Sequence, residues 1–257
     1  MSPRWFQPTA RFSGAEVVYR RMKLPGPGMR IVFVTDVHRS RQFTASHLDL
    51  LCRQTAELAP DLLLLGGDYG ESRDYAREVL SALGRVPAPR GRVGCVGNND
   101  ARLYPDRDEL RALAGEAGIS LLVNETLRLD NITVSAIDDI RHGQPAYTDP
   151  FLGAEGLRIC LSHAPHALPP AFAAMTVRPH LAFCGHTHGG QFNIFGLTPY
   201  SIGFETMLET RLPKPPLVSG DGEYLGVPVI VSNGIGTSRI PLRLGAPPQI
   251  WAVDIVN

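Results

Sequence analysis

"HLAFCGHTHGG", His180–Gly190, sets a short apolar run against two histidines flanked by glycines. Leu181–Cys184 is continuously apolar and too short for a helix, so it reads as a strand buried on both faces. The histidines then fall just past its carboxyl end. The same pattern recurs outward from this stretch. "MRIVFVTDVH" (29–38) ends in Asp36 and His38, and "DLLLLGGD" (61–68) ends in Asp68. "GRVGCVGNND" (91–100) ends in Asn98, Asn99 and Asp100, and "LRICLSHAP" (157–165) ends near His163. "VPVIVSNG" (227–234) and "PPQIWAVDIV" (247–256) are further strand-like runs. Between the strands, "TASHLDLLCRQTAEL" (44–58), "SRDYAREVLSALGRV" (72–86) and "DRDELRALAGEAG" (106–118) have helical spacing. Thr44 is placed to cap the first, and the second stops near Gly84. "ISLLVNETLRLDNITVSAIDD" (119–139) predicts short successive strands that turn at Asn124 and Asp130-Asn131. The Pro/Gly-rich "RLPKPPLVSGDGEYLG" (211–226) predicts an exposed loop, long enough to cap a pocket. The expected architecture is one α/β domain over residues 1–257, strands inside and helices outside.

Bulk composition narrows the function. The 257 residues carry 25 Lys+Arg and 25 Asp+Glu, a formal net charge of zero, which is not the basic footprint of a nucleic-acid binder. A P-loop, a full G-x-G-x-x-G before a helix and H-E-x-x-H are all missing, so kinase, dinucleotide and zincin readings lose support. Cys52, Cys95, Cys160 and Cys184 form no C-x-x-C pair and read as reduced thiols of a cytoplasmic protein. "MSPRWFQPTARFSG" lacks the apolar core of a signal peptide, and no run approaches the roughly 20 apolar residues of a transmembrane helix. Cationic and aromatic residues in "MSPRWF" leave a peripheral membrane contact open, although the stretch is too short for an amphipathic helix.

In α/β folds, ligands bind outside the carboxyl ends of strands, so residues distant in sequence converge there. Here the strand ends supply Asp36, His38, Asp68, Asn98, His163, His186 and His188. Mixed oxygen and imidazole donors without thiolate suit Mn, Fe or Zn. Seven donors are too many for one tetrahedral ion and match two ions sharing a carboxylate. Each residue has an ordinary reading too: Asp36 and Asp68 as helix caps, Asn98 in a left-handed turn, His163 as a core histidine. His47, His166 and His180 read as helix or strand-flanking residues, whereas His142 in "DDIRHG" falls near the expected site.

The blocks D-x-H, G-D, G-N-x-D, H and G-H-x-H occur in that order between residues 36 and 188, each after a predicted strand. Together they resemble the calcineurin-like metallophosphoesterase superfamily. "GHTHGGQ" followed by "SNGIGTSRIPLRLGAPPQI", with "AIDD" before Arg141, is similar to a bacterial phosphodiesterase subgroup often attached to membranes. The resemblance implies a four-layer αββα sandwich of two mixed sheets flanked by helices. It implies two divalent or mixed-valence ions (Mn, Fe or Zn), the first on Asp36, His38 and His188 and the second on Asn98, His163 and His186, with Asp68 between. A hydroxide held between the ions would be the nucleophile.

The family usually has a histidine where this chain has Asn99. An amide cannot protonate a leaving oxygen, and a missing general acid costs about 10²–10⁴ in rate. Asp100 beside two dications would stay ionised and make a poor acid. Three outcomes follow from the residues. The substrate has a good leaving group, as in a phosphoanhydride, a lipid-linked nucleotide sugar or an aryl diester. Alternatively, His142, Arg141, Arg239 or Arg243 supplies the proton or charge. Otherwise the chain is a metal-binding interaction scaffold without catalysis. A protein or monoester phosphatase is disfavoured, since serine alkoxides need the acid. The expectation is a phosphodiesterase or pyrophosphohydrolase acting on a phosphorylated small-molecule or lipid-linked substrate, with Arg239 and Arg243 gripping its phosphate.

Overall fold

The computed structural model describes residues 6–201 and 212–257, so most of "MSPRWF" and Arg211 lie outside the described residues. Two six-stranded mixed sheets form the centre. One runs β2 (Glu16–Lys23), β14 (Gln249–Val256), β3 (Met29–Val34), β4 (Leu62–Leu65), β5 (Arg92–Gly94), β6 (Ser120–Leu121). The other runs β11 (Gly220–Tyr224), β12 (Val227–Val231), β10 (Leu181–Cys184), β9 (Leu157–Ser162), β8 (Ile132–Ile137), β7 (Glu125–Leu129). A small two-stranded ribbon pairs β1 (Phe6–Pro8) with β13 (Leu242–Leu244).

The continuous apolar runs follow from burial on both faces. In β3 and β4, Ile31, Phe33, Leu62 and Leu64 face the second sheet and pack with Ile159, Leu161, Phe183 and Trp251. Their alternates Val32, Val34, Leu63 and Leu65 face outward, against Leu48 and Leu51 of α1 (Ala45–Glu57) and Val79, Leu80 and Leu83 of α2 (Arg73–Leu83). Leu110 and Leu113 of α4 (Arg107–Glu116) join this layer. On the far side, Leu168, Ala171 and Phe172 of α5 (Leu168–Ala174) cover Cys160, Ala182 and Val229. Helices, sheet, sheet and helix make the expected four layers.

The helix starts obey local chemistry. Thr44 accepts the His47 N–H, and His47 Nδ1 accepts the Thr44 N–H in return, a reciprocal capping box. His47 is therefore a half-buried capping residue whose ring meets Phe12 and Phe43 edge-on. Three elements depart from the sequence expectation. The turn after β5 is a helix, α3 (Asn98–Leu103). The stretch 16–23 is an edge strand, and its largely polar, exposed pattern hid it. The loop at 211–226 contains β11, paired antiparallel to β12, and its described part does not line the main cleft.

Candidate metal centre

Residues just past the carboxyl ends of β3, β4, β5 and β10 line one cleft of about 640 Å³, and His163 after β9 lies buried behind them against Asp68 and Asn98. Five of the seven sequence-predicted ligands sit at positive φ: Asp36, His38, Asp68, His186 and His188. Such backbone costs roughly 1–3 kcal/mol per residue and persists where surrounding contacts over-determine it. Those contacts are present. Asp36 N–H donates to Gly67 O at 2.9 Å and His38 N–H to Asp68 O at 3.0 Å. Gly236 N–H donates to Asp36 O at 2.7 Å. Gly234, itself at φ 69°, could not carry a Cβ without placing it 2.5 Å from Asp36 Cβ.

The predicted ligands converge. Asp36 Oδ1 lies 3.4 Å from His188 Nε2 and 3.9 Å from His38 Nε2. Asp68 Oδ2 lies 3.3 Å from His38 Nε2 and 3.5 Å from His163 Nε2. Asn98 Oδ1 lies 2.7 Å from His186 Nδ1 and 3.2 Å from His163 Nε2. Two groups of donor atoms could each hold an ion: Asp36, His38 and His188, and Asp36, Asp68 and His163. Ligands about 2.0–2.2 Å from one ion stand about 3.0–3.5 Å from each other, and four of the six separations here fall in that range.

The donor set fits a metal on a second count. His38 Nδ1 contacts Glu71 Oε1 at 2.6 Å, which fixes the ring, while its buried Nε2 has no hydrogen-bond partner. That nitrogen points at two carboxylates and is left available for a cation. His163 Nδ1 similarly contacts Gly66 O at 2.7 Å, leaving Nε2 toward Asp68. Oriented imidazoles of this kind are typical of metal ligands. The carboxylates are braced too: Asp36 accepts from Thr35 Oγ1 at 2.7 Å and from His186 N–H, and Asp68 Oδ1 accepts from Asn99 N–H at 2.7 Å.

Electrostatics in the metal-free protein follow from this crowding. Burial alone would lower the His38 and His163 pKa values. The Asp68 contact outweighs it in both, helped by Glu71 and Asp36 for His38 and by Asp36 for His163, and both rise to about 10. Asp68, which burial would push up, is instead drawn well below the usual carboxylate range by His163 and His38. His188 is kept neutral by burial, by the His38 charge and by Arg243.

Two sequence-predicted residues have other roles. Arg243 does not reach the cleft. It is buried beneath His188, with its nitrogens on the carbonyls of Asn233, Gly236, Ala246 and His188 and 3.1 Å from His188 Nδ1. Its donors are spent on loop carbonyls, so it braces the site instead of gripping a phosphate. Asp100 is likewise fully buried and outside the cleft lining, accepting from the N–H groups of Asp68 (2.6 Å), Gly97 (2.9 Å) and Tyr69 (3.1 Å). Burial and then the Asp68 charge push its carboxyl up to about 7, against the donors that favour the anion. It ties the β4 and β5 ends together through these backbone donors.

Asn99, His142, Arg141 and Arg239 do line the cleft. The sequence reading missed three neighbours of the site: Glu71, which orients His38; Arg102, whose guanidinium donates to Asn99 Oδ1; and His166, packed edge-on to His186 at 5.5 Å. Arg102 follows Asn99 by three residues, one helical turn, a signal visible only once 98–103 is known to be helical.

Comparison with known proteins places the chain. The calcineurin-like phosphoesterase profile matches residues 29–190, and the chain belongs to that family of metal-dependent phosphoester hydrolases. The phosphodiesterase YaeI of Escherichia coli (strain K12) is 32% identical over 241 residues, covering 88% of this chain and 82% of that protein. The uncharacterized metallophosphoesterase YkuE of Bacillus subtilis (strain 168) is 29% identical over 237 residues, covering 87% and 77%. The UDP-2,3-diacylglucosamine pyrophosphatase LpxG of Chlamydia muridarum (strain MoPn / Nigg) is 33% identical over 86 residues, covering 32% and 25%. Among the described residues, no helix is long and apolar enough to cross a membrane.

Proposed function

We propose that the chain is a binuclear phosphohydrolase that cleaves phosphodiesters or phosphoanhydrides. The observation that carries this is the convergence of the predicted donors beside an arginine-rimmed cleft: Asp36, His38, His188 and Asp36, Asp68, His163 form two groups that share a carboxylate, with Asn98 and His186 against His163. In this reading Asp36, His38 and His188 hold one ion, Asn98, His163 and His186 hold the other, and Asp68 lies between. Mn, Fe or Zn, divalent or mixed-valence, suit these donors. Bound there, such ions supply Lewis acidity, which lowers the pKa of water and neutralises developing phosphoryl charge.

The chain's own residues decide the leaving group. Asn99 Nδ2 donates to Gly70 O at 2.6 Å and Oδ1 accepts from Arg102, so the amide is fixed in one orientation. Asn99 cannot give a proton, but it holds an exposed guanidinium at the edge of the cleft. In this reading Arg102 stabilises charge on the departing oxygen, and Asn99 positions it. Charge stabilisation without proton donation suits a phosphate or aryloxide better than an alkoxide. That favours diester and anhydride substrates over protein or alkyl monoesters, and the phosphodiesterase and pyrophosphatase relatives support it. Arg239 and Arg141 remain candidates for phosphate contact on the rim, and His142 for proton transfer. A phosphorylated small-molecule or lipid-linked substrate and a cytoplasmic location complete the reading. The four free cysteines support the location, and the shared core between the sheets supports one domain over 1–257.

The test is turnover of bis-p-nitrophenyl phosphate by protein reloaded with Mn. Measurable metal-dependent hydrolysis is expected, and silence with every candidate metal contradicts the reading. A second expectation concerns protons. His38 and His163 are protonated below about 10 in the metal-free site, and a metal needs their free lone pairs. Metal uptake near neutral pH should therefore release about two protons per chain, one for each ion, and the apparent affinity for each ion should rise by up to ~10-fold per pH unit from about pH 7 to 9. Calorimetry in buffers of different ionisation enthalpy measures the release. An affinity flat across that window would contradict the assignment of these two histidines.

A further inference from the structure

Among the described residues, eight large apolar side chains are strongly exposed, and four belong to two segments beside the cleft: Ile194, Phe195, Leu197 and Ile240. The first three form the tip of a tight hairpin. Ile194 and Leu197 exchange both backbone hydrogen bonds at 3.0 Å, with Phe195 and Gly196 both at positive φ between them. A two-residue turn of this kind favours Asn-Gly, because a bulky residue in the left-handed region is strained. Placing Phe195 there costs stability and leaves the ring fully in solvent, at 104% exposure. Turn formation does not account for it.

The tip is also rigidly mounted. Asn193 N–H donates to Leu244 O at 2.7 Å, Gln191 Nε2 donates to Ile240 O at 2.8 Å and Leu242 O at 3.1 Å, and Asn193 Oδ1 accepts from Gly196 N–H at 2.8 Å. The hairpin thus stands on the same wall as Phe192, Pro199, Tyr200 and Ile240, which line the cleft. Residues 188–201 and 234–248 contain no Asp or Glu, although the whole chain balances 25 acids against 25 bases. Arg239 is exposed on the same rim.

We propose that this hairpin inserts into the surface of an anionic phospholipid bilayer and sets the mouth of the cleft against the headgroups. Apolar side chains would enter the acyl boundary, and Arg239 would meet lipid phosphate, the pairing that interfacial anchors use. An exposed arginine with no carboxylate in either apolar segment favours an anionic lipid surface over a protein partner. The consequence for substrate choice, a phosphoester presented in a lipid layer, rests on the hydrolase reading; the bilayer contact does not.

The test uses the full chain in co-sedimentation with phosphatidylcholine vesicles containing phosphatidylglycerol. Wild type should pellet with them, less with pure phosphatidylcholine. The double variant Phe195→Ser/Leu197→Ser should bind about tenfold more weakly or less, with unchanged thermal unfolding and unchanged turnover of the soluble aryl diester. Wild type that stays in solution, or a variant that pellets equally, overturns the proposal. So does a concentration-dependent dimer that the double variant abolishes, since the tip would then pair with a second copy. Aryl diester turnover, read separately, reports on the hydrolase reading alone: its absence with vesicle binding intact would sink that reading and leave this one standing.

Discussion

Asp68→Asn is expected to lower metal-dependent diester turnover by more than about 10³-fold and to lower bound metal with it. Losing a single preorganised electrostatic donor already costs ~10²–10³, and Asp68 serves more than one partner. Its Oδ2 faces His38 and His163, and its Oδ1 holds the start of α3 through Asn99 N–H. Asn is isosteric and keeps one acceptor, so the fold should survive. Its loss of charge would also let the His38 and His163 pKa values fall, because Asp68 is a main contact that raises them. The check is kcat together with metal content by elemental analysis and a circular dichroism spectrum. Intact turnover and intact metal content in a folded variant would contradict the placement of Asp68 between two ions.

Arg102→Ala should separate substrates by their leaving groups. Removing a charge-stabilising donor costs about 10²–10³ where the transition state needs it. For an alkyl diester, whose alkoxide carries developing charge, a fall of that size in kcat is expected. For p-nitrophenoxide, which leaves without help, the fall should be less than about tenfold. Steady-state kinetics on a series of diesters with graded leaving-group pKa measures this as a steeper dependence in the variant. Equal losses across the series would mean that Arg102 binds substrate uniformly instead of acting on the departing oxygen. Because Arg102 is exposed and lies on the short α3, the substitution leaves the core untouched.

The parts of this molecule that its sequence displayed were those under the simplest constraint. Strands buried on both faces must be apolar throughout, so β3, β4, β9 and β10 stood out, and the polar residues ending them pointed to the site. The left-handed ligands fit the same logic, since short polar groups after buried strands have little room for ordinary turns. What stayed hidden depended on contacts across the chain. Strand β2 has an exposed, charged face and does not stand out in the sequence, yet it pairs in parallel along the whole of β14. Helix α3 spans six residues, too few for a periodic signal. Arg243 reads from the sequence as a phosphate-gripping residue on the cleft because arginine seldom buries without partners. Its partners are backbone carbonyls from three loops, which no local pattern announces. Glu71 is similar: nothing between Asp68 and Glu71 marks the latter, and only the folded turn brings it to His38 Nδ1.

The most direct test of the central claim is a titration of metal-free protein with Mn, following bound metal and bis-p-nitrophenyl phosphate turnover in the same samples. Two donor groups around shared carboxylates predict that activity climbs to its plateau only as the second ion per chain is bound. A plateau reached at one ion per chain, or two ions bound without hydrolysis, would contradict it.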